Sequence, residues 1–275
     1  MKKSFDSRKI YLFICITPIK YMARKNSRAK DKKEAKDIID MELELRERKR
    51  KNLESQLTTI NFLPGIEMKN ESQKKLIRKI KENQIIFVAG PAGVGKTYVA
   101  IKAALECLMD NDSTYSKLLI TKPLVEGGDQ NMGFLPGDIK EKTEPWMKSY
   151  ESNIKKLVGD ASAQALVNGG IVKSLAFPLI RGNTFDNAIA VLDEGQNTTV
   201  GGMKLFLSRI GETSKIIVLG DVDQTDLKLK KNEKSGLDDA FTRFKGVPGV
   251  SYMEFTEEDI VRSGILIELM KRYKK

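Results

Sequence analysis

Short unbroken apolar runs, separated by polar and helix-periodic stretches, set the pattern of the chain beyond residue 64. Ile85-Ile86-Phe87-Val88-Ala89, Lys117-Leu118-Leu119-Ile120-Thr121, Ala188-Ile189-Ala190-Val191-Leu192 and Lys215-Ile216-Ile217-Val218-Leu219 are rich in β-formers, as strands buried on both faces of a parallel sheet are. A further strand is expected near Val250–Glu254. Behind the first run, Val99, Ala100, Ala103, Ala104 and Leu108 recur near helical spacing. Thr199 reads as the N-cap of another helix, carried by Met203, Leu205, Phe206, Leu207 and Ile210. Strands alternating with helices predict an α/β fold, a parallel sheet flanked by helices.

The stretch before Pro64-Gly65 is different. Residues 22–64 predict a basic helical arm in which Ile38, Met41 and Leu45 form a thin apolar stripe at i, i+3, i+7. Residues 1–21 hold the apolar run Ile10–Ile16 behind Lys2, Lys3, Arg8 and Lys9, an outline of a signal peptide without its small-residue cleavage site. We read them as an upstream extension, with translation starting at Met22, and residues 65–275 as the globular body. No run approaches the length of a membrane span.

Composition narrows the chemistry. The 275 residues contain no histidine, which excludes a Ser/His/Asp triad, a Cys/His dyad and any histidine metal ligand. The two cysteines, Cys15 and Cys107, form no zinc or disulfide pattern, so a cytoplasmic setting is expected. The net charge of +11 is uneven: residues 1–21 hold five Lys/Arg against one Asp, and residues 22–52 twelve against seven. Such an arm fits a nucleic-acid contact and a solvated tail equally well.

Gly90-Pro91-Ala92-Gly93-Val94-Gly95-Lys96-Thr97 fits G-x-x-x-x-G-K-[ST] between the first strand and the first helix. In that setting the loop's N–H groups turn inward to cradle phosphates at a helix N-terminus. Lys96 is expected to reach the β- and γ-phosphates of ATP, and the Thr97 hydroxyl to take a place on Mg²⁺. Ala188–Leu192 delivers two carboxylates at its C-terminal end: Asp193 to hold Mg²⁺, directly or through water, and Glu194 as general base for the attacking water. Trp146 and Tyr150 lie in a helical stretch and read better as core contacts of an inserted element than as a nucleic-acid platform.

Taken together, GPAGVGKT at 90–97, GFLPGD at 133–138, LDEGQNTT at 192–199, GD-x-x-Q at 220–224, SGL at 235–237 and DIVR at 259–262 resemble the PhoH-like family, phosphate-starvation-inducible ATPases of bacteria and many phages. The resemblance spans about residues 65–275 and implies a single RecA-like P-loop NTPase core related to superfamily 1 helicases. It implies adenine recognition by Gln73, γ-phosphate sensing by Gln224 and transition-state stabilisation by Arg262, and it matches Arg181 to another basic position. It further implies RNA or single-stranded nucleic acid as partner and a homo-oligomeric ring, such as a hexamer, since one core holds half of a conventional hydrolysis site. The chain departs from the family pattern at Val94 (usually threonine), Gly195 (alanine), Lys122 (arginine) and Asp223 (a neutral residue). Two readings stay open: an ATPase motor on nucleic acid, which the resemblance favours, and a nucleotide-switched assembly protein with slow hydrolysis.

Overall fold

In the computed structural model, the described residues are 40, 41, 44, 55, 57, 60–110, 112–123, 139–227 and 233–261, with only the backbone described for 139–147. GFLPGD at 133–138, the Trp146 side chain, Arg262 and the extension 1–21 therefore lie outside them, as does most of the basic arm. Contacts divide the chain into two units, residues 1–54 and 55–275. Of the first unit, Asp40, Met41 and Glu44 are described; all are helical and exposed. The other described residues belong to the second unit, which holds the sheet.

Six strands form that sheet: β1 (Ile85–Ala89), β2 (Lys117–Lys122), β3 (Val172–Ala176), β4 (Ala188–Leu192), β5 (Lys215–Gly220) and β6 (Val250–Glu254). Their order is β3-β2-β4-β5-β1-β6, every pairing parallel. The four strands expected from buried runs are the central ones, and β4 is buried at all five positions. β3 has no counterpart among the apolar runs. It is an edge strand, with Val172 and Ala176 buried and Lys173 exposed, so its apolar residues never form a run.

Helices α1 (Glu71–Glu82), α2 (Lys96–Met109), α3 (Ile139–Val158), α4 (Asp160–Asn168), α5 (Val200–Leu207) and α6 (Gly236–Arg243) complete the fold. Asn70, Thr199 and Ser235 cap α1, α5 and α6 through their side-chain oxygens. On one face of the sheet Phe87, Ala190, Leu192 and Val218 pack with Phe185, Phe206 and Leu237. Phe87 stacks on Phe244 at 5.9 Å and on Tyr252 at 5.7 Å, which ties α6 and the edge strand β6 to the centre. α1 packs on α2, which in turn meets β2 and β5. The body starts before Pro64: Leu57 and Ile60 are buried, and the Leu63 N–H donates to the Leu157 carbonyl of α3 at 2.8 Å.

Topology positions the site. β5 lies between β1 and β4, with Ala89 level with Gly220 and Leu192 level with Val218. This insertion of one strand between the glycine-loop strand and the Asp193 strand belongs to a RecA-like core. It leaves a crevice at the C-terminal strand ends, where open α/β sheets bind ligands.

Candidate nucleotide and metal site

Residues 90–95 turn from β1 into α2, and the turn is held from both sides. The Gly90 N–H donates to the Gly220 carbonyl at 3.2 Å, and the Phe255 N–H to the Ala89 carbonyl at 2.8 Å. Gly95 caps α2 at φ +87°, a left-handed conformation costly for any residue with a Cβ. Beneath it lies Gln73, 3% exposed and unlike a surface glutamine. Its Nε2 donates to the Val94 carbonyl at 2.9 Å, and its Oε1 accepts from the Lys69 N–H at 2.8 Å. Gln73 therefore braces the loop as well as lining the crevice.

The Lys96 ammonium folds over this loop, donating to the Gly90 carbonyl at 2.5 Å and the Pro91 carbonyl at 3.0 Å. Burial lowers its pKa, and the charges of Asp221, Asp193 and Glu194 oppose that shift.

Across the crevice β4 ends in Asp193, whose N–H donates to the Thr121 carbonyl at 2.9 Å. The Thr97 hydroxyl meets both carboxylate oxygens of Asp193, at 3.3 and 3.1 Å. Burial, then the neighbouring charge of Glu194, raises the Asp193 pKa; the Thr97 hydroxyl and the Glu194 N–H work against the rise. A half-buried carboxylate paired with a hydroxyl at the edge of a cavity suits a divalent cation. Mg²⁺ usually takes one or two protein ligands and fills its octahedron with water and phosphate oxygens. Thr97 and Asp193 offer that number. Among the described residues no cluster of three or more acidic, cysteine or histidine side chains offers an all-protein cage.

Glu194 comes next, in the left-handed region at φ 54° and ψ 42°, a strained setting for a non-glycine residue. Its side chain is held in place. Gln196 Nε2 donates to Glu194 Oε2 at 2.7 Å, and the Lys122 ammonium stands 3.9 Å from Oε1. The same Gln196 amide donates to the Gln224 carbonyl at 3.1 Å and accepts from the Asp221 N–H at 3.0 Å. Asn197 grips the same loop further on, exchanging hydrogen bonds with Asp226. The loop after β5 is thus clamped to the turn that carries Glu194.

A cavity of about 630 Å³ opens here, within the size range of ligand sites. The residues singled out in the sequence that line it are Gln73, Ala92, Gly93, Gly95, Lys96, Thr97, Asp193, Glu194 and Gln224; Gly90, Pro91 and Val94 of the same loop do not. Arg181 is exposed and does not line it. Arg262 cannot be placed with them, but its predecessor Val261 lines the cavity and donates its N–H to the Gly93 carbonyl at 3.3 Å. One residue that braces the site carries no such signal in the sequence. Gln196 sits inside a motif whose acidic pair is the stronger mark. Tyr150, read from the sequence as a core contact, is buried at 5% exposure. Burial, then the nearby charge of Asp193, pushes its pKa far up, so the phenol stays protonated.

A family profile described as PhoH-like protein matches residues 65–274. The chain belongs to the PhoH-like family. It is 38% identical over 211 residues to the PhoH-like protein of Bacillus subtilis, covering 77% of this chain and 65% of that one. It is 33% identical over 269 residues to Protein PhoH of Escherichia coli K12, covering 92% of this chain and 74% of that one. The match thus spans slightly less than two thirds of the Bacillus relative. Among solved structures, the UvsW helicase of bacteriophage T4 overlays with a TM-score of 0.44 at 12% identity, over 75% of this chain and 67% of that one.

The structure gives this chain's departures from the PhoH-like pattern a physical setting. Val94 is fully buried, and it is its backbone carbonyl that holds Gln73. A Cβ at Gly195 would come within 2.7 Å of Val218 Cγ1, so here glycine lets the turn rest directly on β5. Lys122 contributes a single point charge beside Glu194. Asp223 is exposed and does not line the cavity. Among the described residues no helix is long and apolar enough to cross a membrane.

Proposed function

We propose that this PhoH-like protein is a Mg²⁺-dependent ATPase whose turnover is coupled to RNA or single-stranded nucleic acid. The observation that carries the reading is the meeting of the Thr97 hydroxyl with the Asp193 carboxylate beneath the glycine loop, with Glu194 beside them. In this reading the N–H groups of 90–97 take the phosphates, and Lys96 leaves the loop carbonyls for the β- and γ-phosphate oxygens. Thr97 and Asp193 hold Mg²⁺, which supplies charge neutralisation on the β- and γ-phosphates when bound. Glu194 accepts a proton from the attacking water, and Gln196 keeps its carboxylate aimed. Gln224 senses the γ-phosphate, Gln73 reads the adenine, and Arg262 stabilises the charge of the transferring phosphoryl group.

Nucleic-acid coupling draws on the basic arm. A ring draws on the half-site character of a single core: among the described residues no arginine lines the cavity, so an arginine near the transition state comes from Arg262 or from a neighbouring subunit.

The test is the steady-state ATPase rate of the full chain with and without single-stranded RNA, from low to moderate salt and across protein concentrations. The expected result is RNA stimulation that falls steeply with salt, and specific activity that rises with concentration. A slow rate indifferent to RNA would transfer the assignment to a nucleotide-switched assembly. No hydrolysis and no Mg²⁺-nucleotide binding would overturn the site.

A further inference from the structure

The cavity draws on two unlike sets of elements. Asp193, Glu194 and Asp221 reach it from the C-terminal ends of β4 and β5. Its apolar side chains, Ile66, Ala92, Tyr98 and Val261, come instead from the glycine loop and from segments tied to it. Ile66 precedes α1 in the stretch whose Lys69 N–H donates to Gln73 Oε1. Tyr98 lies in the first turn of α2, three residues beyond Gly95, where a Cβ would come within 3.1 Å of Gln73 Nε2. Val261 is carried in by the chain after β6, where Asn70 Nδ2 donates to the Asp259 carbonyl at 3.1 Å and the Val261 N–H to the Gly93 carbonyl.

Val261 is 41% exposed, and Ile66 and Tyr98 are half-buried. Among the described residues the Tyr98 ring stacks on no other aromatic. Apolar and aromatic side chains with a polar group among them suit a flat heteroaromatic ring, not a phosphate. The polar group is the Gln73 amide. It has two N–H donors and two lone pairs, of which the Val94 carbonyl takes one donor and the Lys69 N–H one lone pair. Those bonds fix which way round the amide points and leave one donor and one acceptor. Adenine offers the complement, an acceptor at N7 and a donor at N6.

We infer that Ile66, Tyr98 and Val261 form the slot for the purine ring of ATP, with Tyr98 as its aromatic wall and the chief source of affinity for the base. This rests on the reading of the cavity as an ATP site. The work is divided: Gln73 selects the base by its edge, while Tyr98 holds it by contact with the ring.

The test measures, by calorimetry on the full chain with Mg²⁺, the affinities of a non-hydrolysable ATP analogue and of inorganic tripolyphosphate, which has the phosphates and no base. Tyr98→Ala should weaken the analogue about 5–150-fold, the range for losing one base–aromatic contact, and leave tripolyphosphate within about twofold of wild type. Tyr98→Phe, which keeps the ring, should bind the analogue within about threefold of wild type. Val261→Ser, at an exposed position that spares the fold, should weaken the analogue alone by about threefold or more. Unchanged analogue affinity in Tyr98→Ala and Val261→Ser overturns the slot. An equal loss of tripolyphosphate affinity also overturns it, since Tyr98 would then act through the loop. A wild type that binds neither probe would overturn the ATP reading itself, a failure distinct from an unaffected Tyr98→Ala.

Discussion

Two lysines of this core, Lys96 and Lys215, are desolvated, and burial lowers the pKa of both, yet they are opposites. Lys215 opens β5 at the N-terminal edge of the sheet and is 3% exposed. Its ammonium donates to the Ile80, Lys81 and Asn83 carbonyls, closing the C-terminal end of α1. A cation there meets the negative end of the helix dipole and satisfies carbonyls that would otherwise lack partners. Lys96 stands at the opposite edge. It rests on two carbonyls of its own loop and faces three carboxylates, Asp221, Asp193 and Glu194. Burial is common to both; the partners differ. The charge of Lys215 is locked by fixed carbonyls within the fold, whereas that of Lys96 faces three carboxylates around a cavity.

The sharpest way to break the comparison is to remove each lysine. Lys96→Ala should lower ATP turnover by at least about 10²–10³-fold, the scale of losing one donor to developing charge, and leave the melting temperature nearly unchanged. Lys215→Ala should do the reverse. Leaving helix-end carbonyls unpaired costs about 3 kcal/mol, or roughly 6–12 °C for a domain of this size, with turnover within about twofold of wild type. Turnover assays and thermal melts on both variants decide it, and equal effects on both readouts would erase the distinction.

Next in size is Glu194→Gln. It should retain nucleotide binding, measured by calorimetry, while turnover falls by about 10²–10⁴-fold, the usual contribution of a general base. Gln196→Leu sharpens the contrast within the site. It removes the hydrogen bond to a charged group and the tie to the Gln224 loop, so kcat should fall about 10–100-fold with KM little changed. A matched rise in KM would place Gln196 in substrate binding instead.

Asp193→Asn makes the smallest effect, and a counterintuitive one. A carboxylate whose folded-state pKa is raised favours the fold while protonated, below its unfolded value near 3.8. That contribution is lost as pH rises through the folded pKa, so at neutral pH the ionised Asp193 weakens the fold. The metal-free Asp193→Asn protein should therefore melt higher than wild type at pH 7, by roughly 2–4 °C for each pKa unit of upward shift. The gain should vanish as pH falls below 3.8. Melts across pH in EDTA check this; a lower melting temperature at pH 7 would mean that the Thr97 contact outweighs burial.

Much of the glycine-loop end is legible in the linear chain because local rules write it there. Strand, glycine loop and helix are adjacent in sequence, and the Gly95 conformation, the Lys96 position and the Thr97 hydroxyl all come from eight consecutive residues. β4 is legible for the same reason, five apolar residues ending in two carboxylates. β3 is not: an edge strand with Lys173 and Ser174 at its centre has no apolar run to detect.

The sequence by itself determined the kind of fold, the central strands, the glycine loop and the acidic pair, because each is a pattern within a window of a few residues. Only the tertiary structure decided which distant groups act on that pair. The parallel order that inserts β5 between β1 and β4 brings Thr97 to Asp193, and the clamp through Gln196 joins the loop after β5 to Glu194. The packing of α3 sets Asn153 and Lys156 along the same cavity. Side chains far apart in the chain, joined by single hydrogen bonds, leave no periodicity behind; they are set by where whole elements come to rest.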